Sequence, residues 1–275
     1  MSGPPIPGSA MDSLEKQVVL GVGICPTSYG AVAEACRNWI ANRPAGATNR
    51  YICVTSVHGI MTAVFDRSFR AKLNRADIAT PDGMPVVWAL RSFGHPDQGR
   101  VYGPDLMLAL CDQAERLGHR IFLYGSHPET LTLLERRLLQ RFPNLTIAGA
   151  YSPPFRSLTP LEDRQITKMI ADAAPDLIFV GLSTPKQEHW MSAHVGHLPG
   201  VMIGVGAAFD FHAGKLKQAP PWMRQHGLEW LFRLIMEPRR LWKRYLLITP
   251  LFLPLWSMQR MGLLRYSTEH ALETN

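Results

Sequence analysis

Cysteine is scarce in this 275-residue chain, with only Cys25, Cys36, Cys53 and Cys111. None of the four stands at C-x-x-C spacing and all lie in or beside apolar runs, which argues against a zinc framework or a disulfide and for reduced thiols in a cytosolic core. The ten histidines never form H-E-x-x-H or another metal-ligand spacing. Long hydrophobic runs are also missing. The longest, "YLLITPLFLPLWSM" at 245–258, is shorter than the ~20 residues of a spanning helix and is interrupted by Pro250 and Pro254. An interfacial segment is expected there. The opening "MSGPPIPGSAMDS" has neither a basic n-region nor an apolar h-region, so residues 1–16 are expected to form a flexible leader and no export is implied. Acidic side chains are outnumbered by basic ones, 22 to 29, for a net charge of +7. That balance suggests an anionic partner without choosing among nucleotide phosphate, phospholipid headgroup and nucleic acid.

Hydrophobic residues make up 46% of the chain, enough for a substantial core. β-rich apolar runs alternate with helical periodicity, the pattern of βα units and a mainly parallel sheet. Strands are predicted at 17–24, 51–56, 77–80, 120–125, 145–151, 176–182 and 200–206. Two helices announce their starts. "GSHPETLTLLERRLLQRF" offers Ser126 as cap, Pro128 in the first turn and Glu129 at the positive end of the dipole, and "GPDLMLALCDQAERLG" has Pro104 and Asp105 early and Gly118 at its stop. The βα rhythm ends near "KLKQAPPWMRQHG", beyond which tryptophans and arginines crowd together. Residues 17–215 therefore read as one α/β domain and 216–275 as a basic, aromatic helical appendage.

Ligands of open parallel sheets bind beyond the carboxyl ends of the strands. Four such ends carry polar or glycine-rich turns: "TSVHG" (55–59), "TPDGMP" (80–85), "YGSHPE" (124–129) and "GLSTPKQEHW" (181–190). Asp82 reads either as a turn residue and helix cap or as a general base at a strand end. No D-x-D pair lies near it to hold a metal and diphosphate. Gly125 and Ser126 at a helix start suit an anion, and Lys186 and Gln187 add a cation and an amide to a second such start. Each also has an ordinary reading as a capped or solvated first turn. Arg100 suits a diphosphate oxygen or open solvent, and Thr55 and His58 sit at another strand end. Gly204 and Gly206 permit close backbone approach, but the G-x-G-x-x-G spacing is not met, so neither a nicotinamide enzyme nor a nucleotide-sugar epimerase is expected. In the appendage, Arg224, Arg233, Arg239, Arg240, Lys243 and Arg244 interleave with Trp242 and other apolar residues at helical spacing. Such a surface suits anionic lipid, with packing on the main domain or a subunit contact as the alternatives.

Taken in order, "ADIATPDGMPVVWALR", "RVYGPDLM", "FLYGSHPETL", "PDLIFVGLSTPKQEHWM" and "GVGAAFDFHAGKLKQAPPWMRQHGLEWLFRLIMEPRRLWKRY" resemble the WecG/TagA/CpsF family of bacterial glycosyltransferases over about residues 17–248. The resemblance implies a Rossmann-like, mainly parallel sheet flanked by helices (GT-E type) with a C-terminal membrane-docking appendage. It implies inverting transfer from a UDP-sugar to a polyprenyl-diphosphate-linked saccharide in cell-surface or exopolysaccharide synthesis. The enzyme would be peripheral on the inner face of the plasma membrane and need no metal or other cofactor. Asp82 is then the base, with Thr55 and His58 beside it. Arg100, Gly125, Ser126, Lys186, Gln187 and Gly206 would serve the donor, and the appendage cations with Trp242 the membrane and acceptor. Many members carry T-x-N after the second strand, where this chain has Thr55, Ser56 and Val57 followed by His58. His58 would replace that asparagine, and UDP-glucose or a UDP-hexuronate becomes a candidate donor beside N-acetylmannosamine nucleotides. The competing reading is a basic nucleotide- or nucleic-acid-binding module without transfer activity. It has only the charge balance behind it, since no nucleic-acid motif is present.

Overall fold

The structure, a computed structural model, describes residues 15–43 and 50–266, the side chain of Arg244 apart. Most of the expected leader, residues 1–14, thus lies outside the described residues. The chain opens with β1 (Gln17–Val19), β2 (Val22–Ile24), α1 (Tyr29–Ala41), β3 (Tyr51–Thr55), α2 (Val57–Phe65), α3 (Arg67–Arg75) and β4 (Ile78–Pro81). It continues through α4 (Met84–Ser92), α5 (Gly103–Leu117), β5 (Arg120–Gly125), α6 (Pro128–Arg141), β6 (Thr146–Tyr151), α7 (Pro160–Asp172), β7 (Leu177–Gly181), α8 (Lys186–Ala193), β8 (Val201–Gly204) and α9 (Ala208–His212). The appendage holds α10 (Pro221–Gln225), α11 (Glu229–Met236), α12 (Pro238–Trp242), a π-helical turn (Lys243–Ile248), a 3-10 turn (Thr249–Leu251) and α13 (Phe252–Arg260).

Six strands form one parallel sheet in the order β4-β3-β8-β7-β5-β6. Their side chains alternate between two helical layers as the period of two requires. Tyr51, Cys53, Phe122, Tyr124, Ile178 and Val180 face a core shared with α2, α3, α4 and α8. Ile52, Ile121, Leu123, Leu177 and Phe179 face the opposite core, built with α1, α5 and α6. Both faces are covered, which explains why the strands read as continuous apolar runs. All four cysteines are free and buried.

One strand expectation is corrected. Residues 17–24 do not join the main sheet. They fold back on themselves as the antiparallel β1–β2 hairpin. Leu20 and Gly21 make the reversal with φ of 50° and 83°, the positive values that a two-residue hairpin turn demands. The hairpin still touches the sheet, because the Cys25 amide donates to the Ala79 carbonyl at 2.8 Å. At the helix termini, Gly118 ends α5 in the left-handed region as expected. Ser126 does not cap α6: His127 holds the N-cap position, and Ser126 has a φ of 59°.

The appendage is stitched to the α/β body at its far end. Phe252 is buried in the core beneath α2. Gln259 accepts from the Leu20 amide at 2.8 Å and donates to the Val18 carbonyl at 2.9 Å, and the Trp256 indole donates to Ser92 Oγ at 3.2 Å. The 3-10 turn just before these anchors contains Pro250, which has no N–H for a carbonyl four residues back. Among the described residues no helix is long and apolar enough to cross a membrane.

β5 and β7 approach so closely that a methyl group on Gly125, whose φ is 123°, would stand 2.6 Å from the Gly181 carbonyl oxygen. Gly125→Ala is expected to lower stability by roughly 2–4 kcal/mol in urea titration. Gly99→Ala, with nothing within 4 Å of the added carbon, should stay within about 0.5 kcal/mol of wild type.

Candidate active site

A cleft of about 590 Å³ opens at the carboxyl ends of β3, β4 and β8 and is roofed by the appendage. Its floor depends on how β4 ends. Pro81 completes the pairing with β3, the Asp82 amide donates to the Thr55 carbonyl at 2.9 Å, and the Val101 amide donates to the Pro81 carbonyl at 3.0 Å. Gly83 then turns with φ 91° and ψ 139° to become the N-cap of α4, with no side-chain cap. The capping reading of Asp82 is therefore overturned. Its carboxylate points away from the helix amides, into the cleft, where Oδ1 accepts from Arg100 Nε at 2.8 Å.

Arg100 is engaged from a second direction. Its Nη1 lies 2.7 Å from Glu229 Oε2, its guanidinium rests 4.1 Å from the centre of the Tyr102 ring, and the Tyr102 hydroxyl donates to Glu229 Oε1 at 3.3 Å. The three charged side chains are only 14–18% exposed. Burial raises the Asp82 pKa above the usual carboxylate range. Arg100 opposes that rise, Glu229 adds to it and Arg233 opposes it. Burial alone would weaken the Arg100 cation, yet its two carboxylates hold its pKa above the ordinary value. The arrangement is a carboxylate held in place and more proton-hungry than a surface aspartate.

The other expected residues separate into those at the cleft and those behind it. His58, Gln187 and Gly206 line it, as does Val57, where the family asparagine would fall. Gly206 has the positive φ, 55°, expected of a close-approach glycine. Gln187 is buried at the start of α8. Its Nε2 donates to Glu188 Oε1 at 3.2 Å, and Thr184 Oγ1 donates to the same oxygen at 2.8 Å. The amide is thereby oriented, and its Oε1 has no hydrogen-bond partner among the described residues. Burial pushes the Glu188 carboxyl pKa up, against the hydrogen bonds from Thr184 and Gln187.

Thr55 is placed in the frame. Its buried hydroxyl donates to the Cys53 carbonyl at 3.2 Å and it is absent from the cleft lining. Gly125 and Ser126 do not form the expected anion cradle, because the Ser126 amide is spent on the Gly181 carbonyl at 3.1 Å and its hydroxyl lies 3.4 Å from Asp210 Oδ1. Lys186 is exposed on the outer side of the first turn of α8, outside the lining.

Of the appendage cations expected to serve the membrane and acceptor, four line the cleft. Arg224 sits 5.6 Å from the Tyr102 ring and 3.8 Å from Asp105, Arg233 sits 5.8 Å from the Phe211 ring, and Arg240 pairs with Glu237 at 3.0 Å. Lys243, the fourth, lies 5.6 Å from the Trp242 ring. Arg239 and Trp242 are exposed and outside the lining, and the Arg244 side chain lies outside the described residues. Sequence reasoning missed Tyr102, Glu188, Asp210 and Glu229. An acid at the first position of an apolar helix, the only local signal for Glu229, reads simply as a favourable dipole contact.

A parallel α/β sheet with an oriented, half-buried carboxylate and a cluster of cations at its carboxyl edge has the makings of an enzyme site suited to an anion. The WecG/TagA/CpsF glycosyl transferase family model matches residues 17–266, and the chain belongs to that family. It is similar to enzymes named N-acetylglucosaminyldiphosphoundecaprenol N-acetyl-β-D-mannosaminyltransferase from several bacteria. The one from Bacillus subtilis is 37% identical over 188 residues, covering 68% of this chain and 71% of the relative. The one from Bacillus spizizenii is 35% identical over 181 residues, 66% and 68% respectively. That of Staphylococcus aureus strain MW2 is 31% identical over 232 residues, 82% and 85%. The chain is a glycosyltransferase.

Removing the shared cation tests the electrostatic account. Arg100→Met leaves Asp82 and Glu229 without a counter-charge and is expected to cost roughly 3 kcal/mol of stability near neutral pH. A raised folded-state pKa favours the protonated form, so the penalty grows as pH rises through it and shrinks in acid. Urea titrations at about pH 5 and pH 8 should show that difference.

Proposed function

We propose that the enzyme moves a sugar from a UDP-sugar to a saccharide carried on a polyprenyl diphosphate, with inversion at the anomeric carbon and Asp82 as base. The observation that carries this reading is the half-buried Asp82 carboxylate facing a cleft that Arg233, Arg240 and Lys243 of the appendage also line. The acceptor hydroxyl gives its proton to Asp82 as its oxygen bonds to the anomeric carbon. The bond from that carbon to the diphosphate oxygen breaks, and UDP departs with both electrons. The cationic wall meets the charge that develops on the diphosphate, so the reading assigns no step to a metal. Gln187 Oε1, an oriented acceptor without a hydrogen-bond partner among the described residues, takes a hydrogen bond from the donor.

The names of the relatives support a lipid-linked N-acetylglucosamine acceptor and an N-acetylmannosamine donor. Val57 and His58 at the cleft wall are the residues through which the donor sugar would differ. Incubation with a panel of UDP-sugars and a polyprenyl-diphosphate acceptor, read by product mass, decides the donor. Asp82→Asn is expected to lower kcat at least ~10²-fold while UDP binding, read by calorimetry, stays within about threefold. Near-normal turnover removes Asp82 from the role of base.

The outer surface of the appendage supports docking on an anionic bilayer at the inner face of the plasma membrane. Trp222, Ile235, Met236, Leu246, Leu247 and Leu263 are all more than half exposed, and such a concentration of apolar surface marks an interaction site. Arg239 beside them suits phosphate headgroups. Ile235→Asp with Leu247→Asp should weaken sedimentation with phosphatidylglycerol vesicles by roughly tenfold or more. Unchanged sedimentation together with a shift from dimer to monomer would assign the surface to a second copy of the chain.

A further inference from the structure

Glu229 falls within the last of the family stretches, but no site role was expected of it. It opens α11, in the appendage, yet its carboxylate reaches across the cleft to the one cation that orients Asp82. The contact is enclosed, since Tyr102 covers the guanidinium and its hydroxyl donates to the other Glu229 oxygen. Asp82, Arg100 and Glu229 together carry two negative charges against one positive. Were Glu229 absent, Arg100 and Asp82 would form a simple neutral pair, and an aspartate so paired is a weak base.

We propose that Glu229 is a positioning residue for the transfer: by holding Nη1 of Arg100 it fixes the guanidinium edge that Asp82 leans on, and so ties the placement of Asp82 to α11 lying over the cleft. The inference rests on the reading of Asp82 as base. Glu229 shares α11 with Arg233, which lines the cleft one turn later. Lifting α11 would thus remove the diphosphate contact and the second carboxylate in one motion.

The charged and titratable groups facing Asp82 come from several elements. Arg100 and Tyr102 precede α5, Tyr29 begins α1, and Glu229 and Arg233 lie on α11. His58 of α2 lines the same cleft. Among these, Glu229 is the carboxylate that opposes the effect of Arg100 on Asp82. Removing its charge leaves burial alone to oppose Arg100 at Asp82, so the ionisation of Asp82 moves toward acid.

The test uses the full-length protein with a UDP-sugar, a polyprenyl-diphosphate acceptor and the pH dependence of kcat/KM. Glu229→Gln keeps the shape and removes the charge. Its acidic limb is expected about one pH unit lower than that of wild type, with kcat down roughly tenfold and donor KM changed less than about twofold. Glu229→Asp keeps the charge at shorter reach and should give an intermediate limb. An unmoved acidic limb in Glu229→Gln, with Asp82→Asn inactive, overturns the role of Glu229 and leaves Asp82 as base. Near-wild-type turnover by Asp82→Asn overturns the base reading and this inference with it. Thermal midpoints by circular dichroism identify a variant that fails to fold, in which case Glu229→Asp carries the comparison, and a wild-type limb and turnover there again refute the proposal.

Discussion

The site turns on one guanidinium. Arg100 is held by a carboxylate from the end of β4 and by another from the appendage, against the face of Tyr102. Each contact alone is an ordinary ion pair, but at 14–18% exposure the three charges have little water to fall back on. Pairing of that kind is costly to break from either side. It therefore fixes where the Asp82 carboxylate points and where α11 begins.

The parallel sheet makes that meeting possible. β3 and β4 end side by side, so the Asp82 amide can bond the Thr55 carbonyl and the carboxylate emerges at the sheet edge. β8 ends next to β3 and brings Gly204 and Gly206, whose lack of side chains admits Gln187 from α8. The return of α13 to the β1–β2 hairpin and α4 holds the appendage at its far end. α11 thus hangs between two anchors over the cleft. One side of this span presents Arg233 and Glu229 inward, and the other presents Ile235 and Met236 outward. A single amphipathic stretch thus turns its charges to the cleft and its apolar side chains to the outside.

Much of this was legible in the chain. Alternating apolar runs and helical periodicity gave six of the main strands to within a residue or two, and Pro81 and Gly83 marked the strand-to-helix turn around Asp82. The hairpin at 17–24 was not legible as such, because a positive φ at Leu20 leaves no mark in the residue type and "QVVLGVGI" has the apolar character of any buried strand. Lys186 and Gln187 were indistinguishable as neighbours in one motif. Only the direction of the first turn of α8 sends the amide inward and the ammonium to solvent.

The sequence by itself determined the class of fold, the family and the carboxylate at a strand end, since these follow from periodicity and from ordered local motifs. Tertiary structure decided which charges meet. A count of lysines and arginines places ten in the last quarter of the chain, but whether they face lipid or substrate depends on how the appendage folds back, which no local pattern encodes. Arg100 and Glu229 are separated by 129 positions, as their numbers show. Their contact, and with it the environment of Asp82, exists only because the sheet edge and the returning appendage enclose one poorly solvated volume.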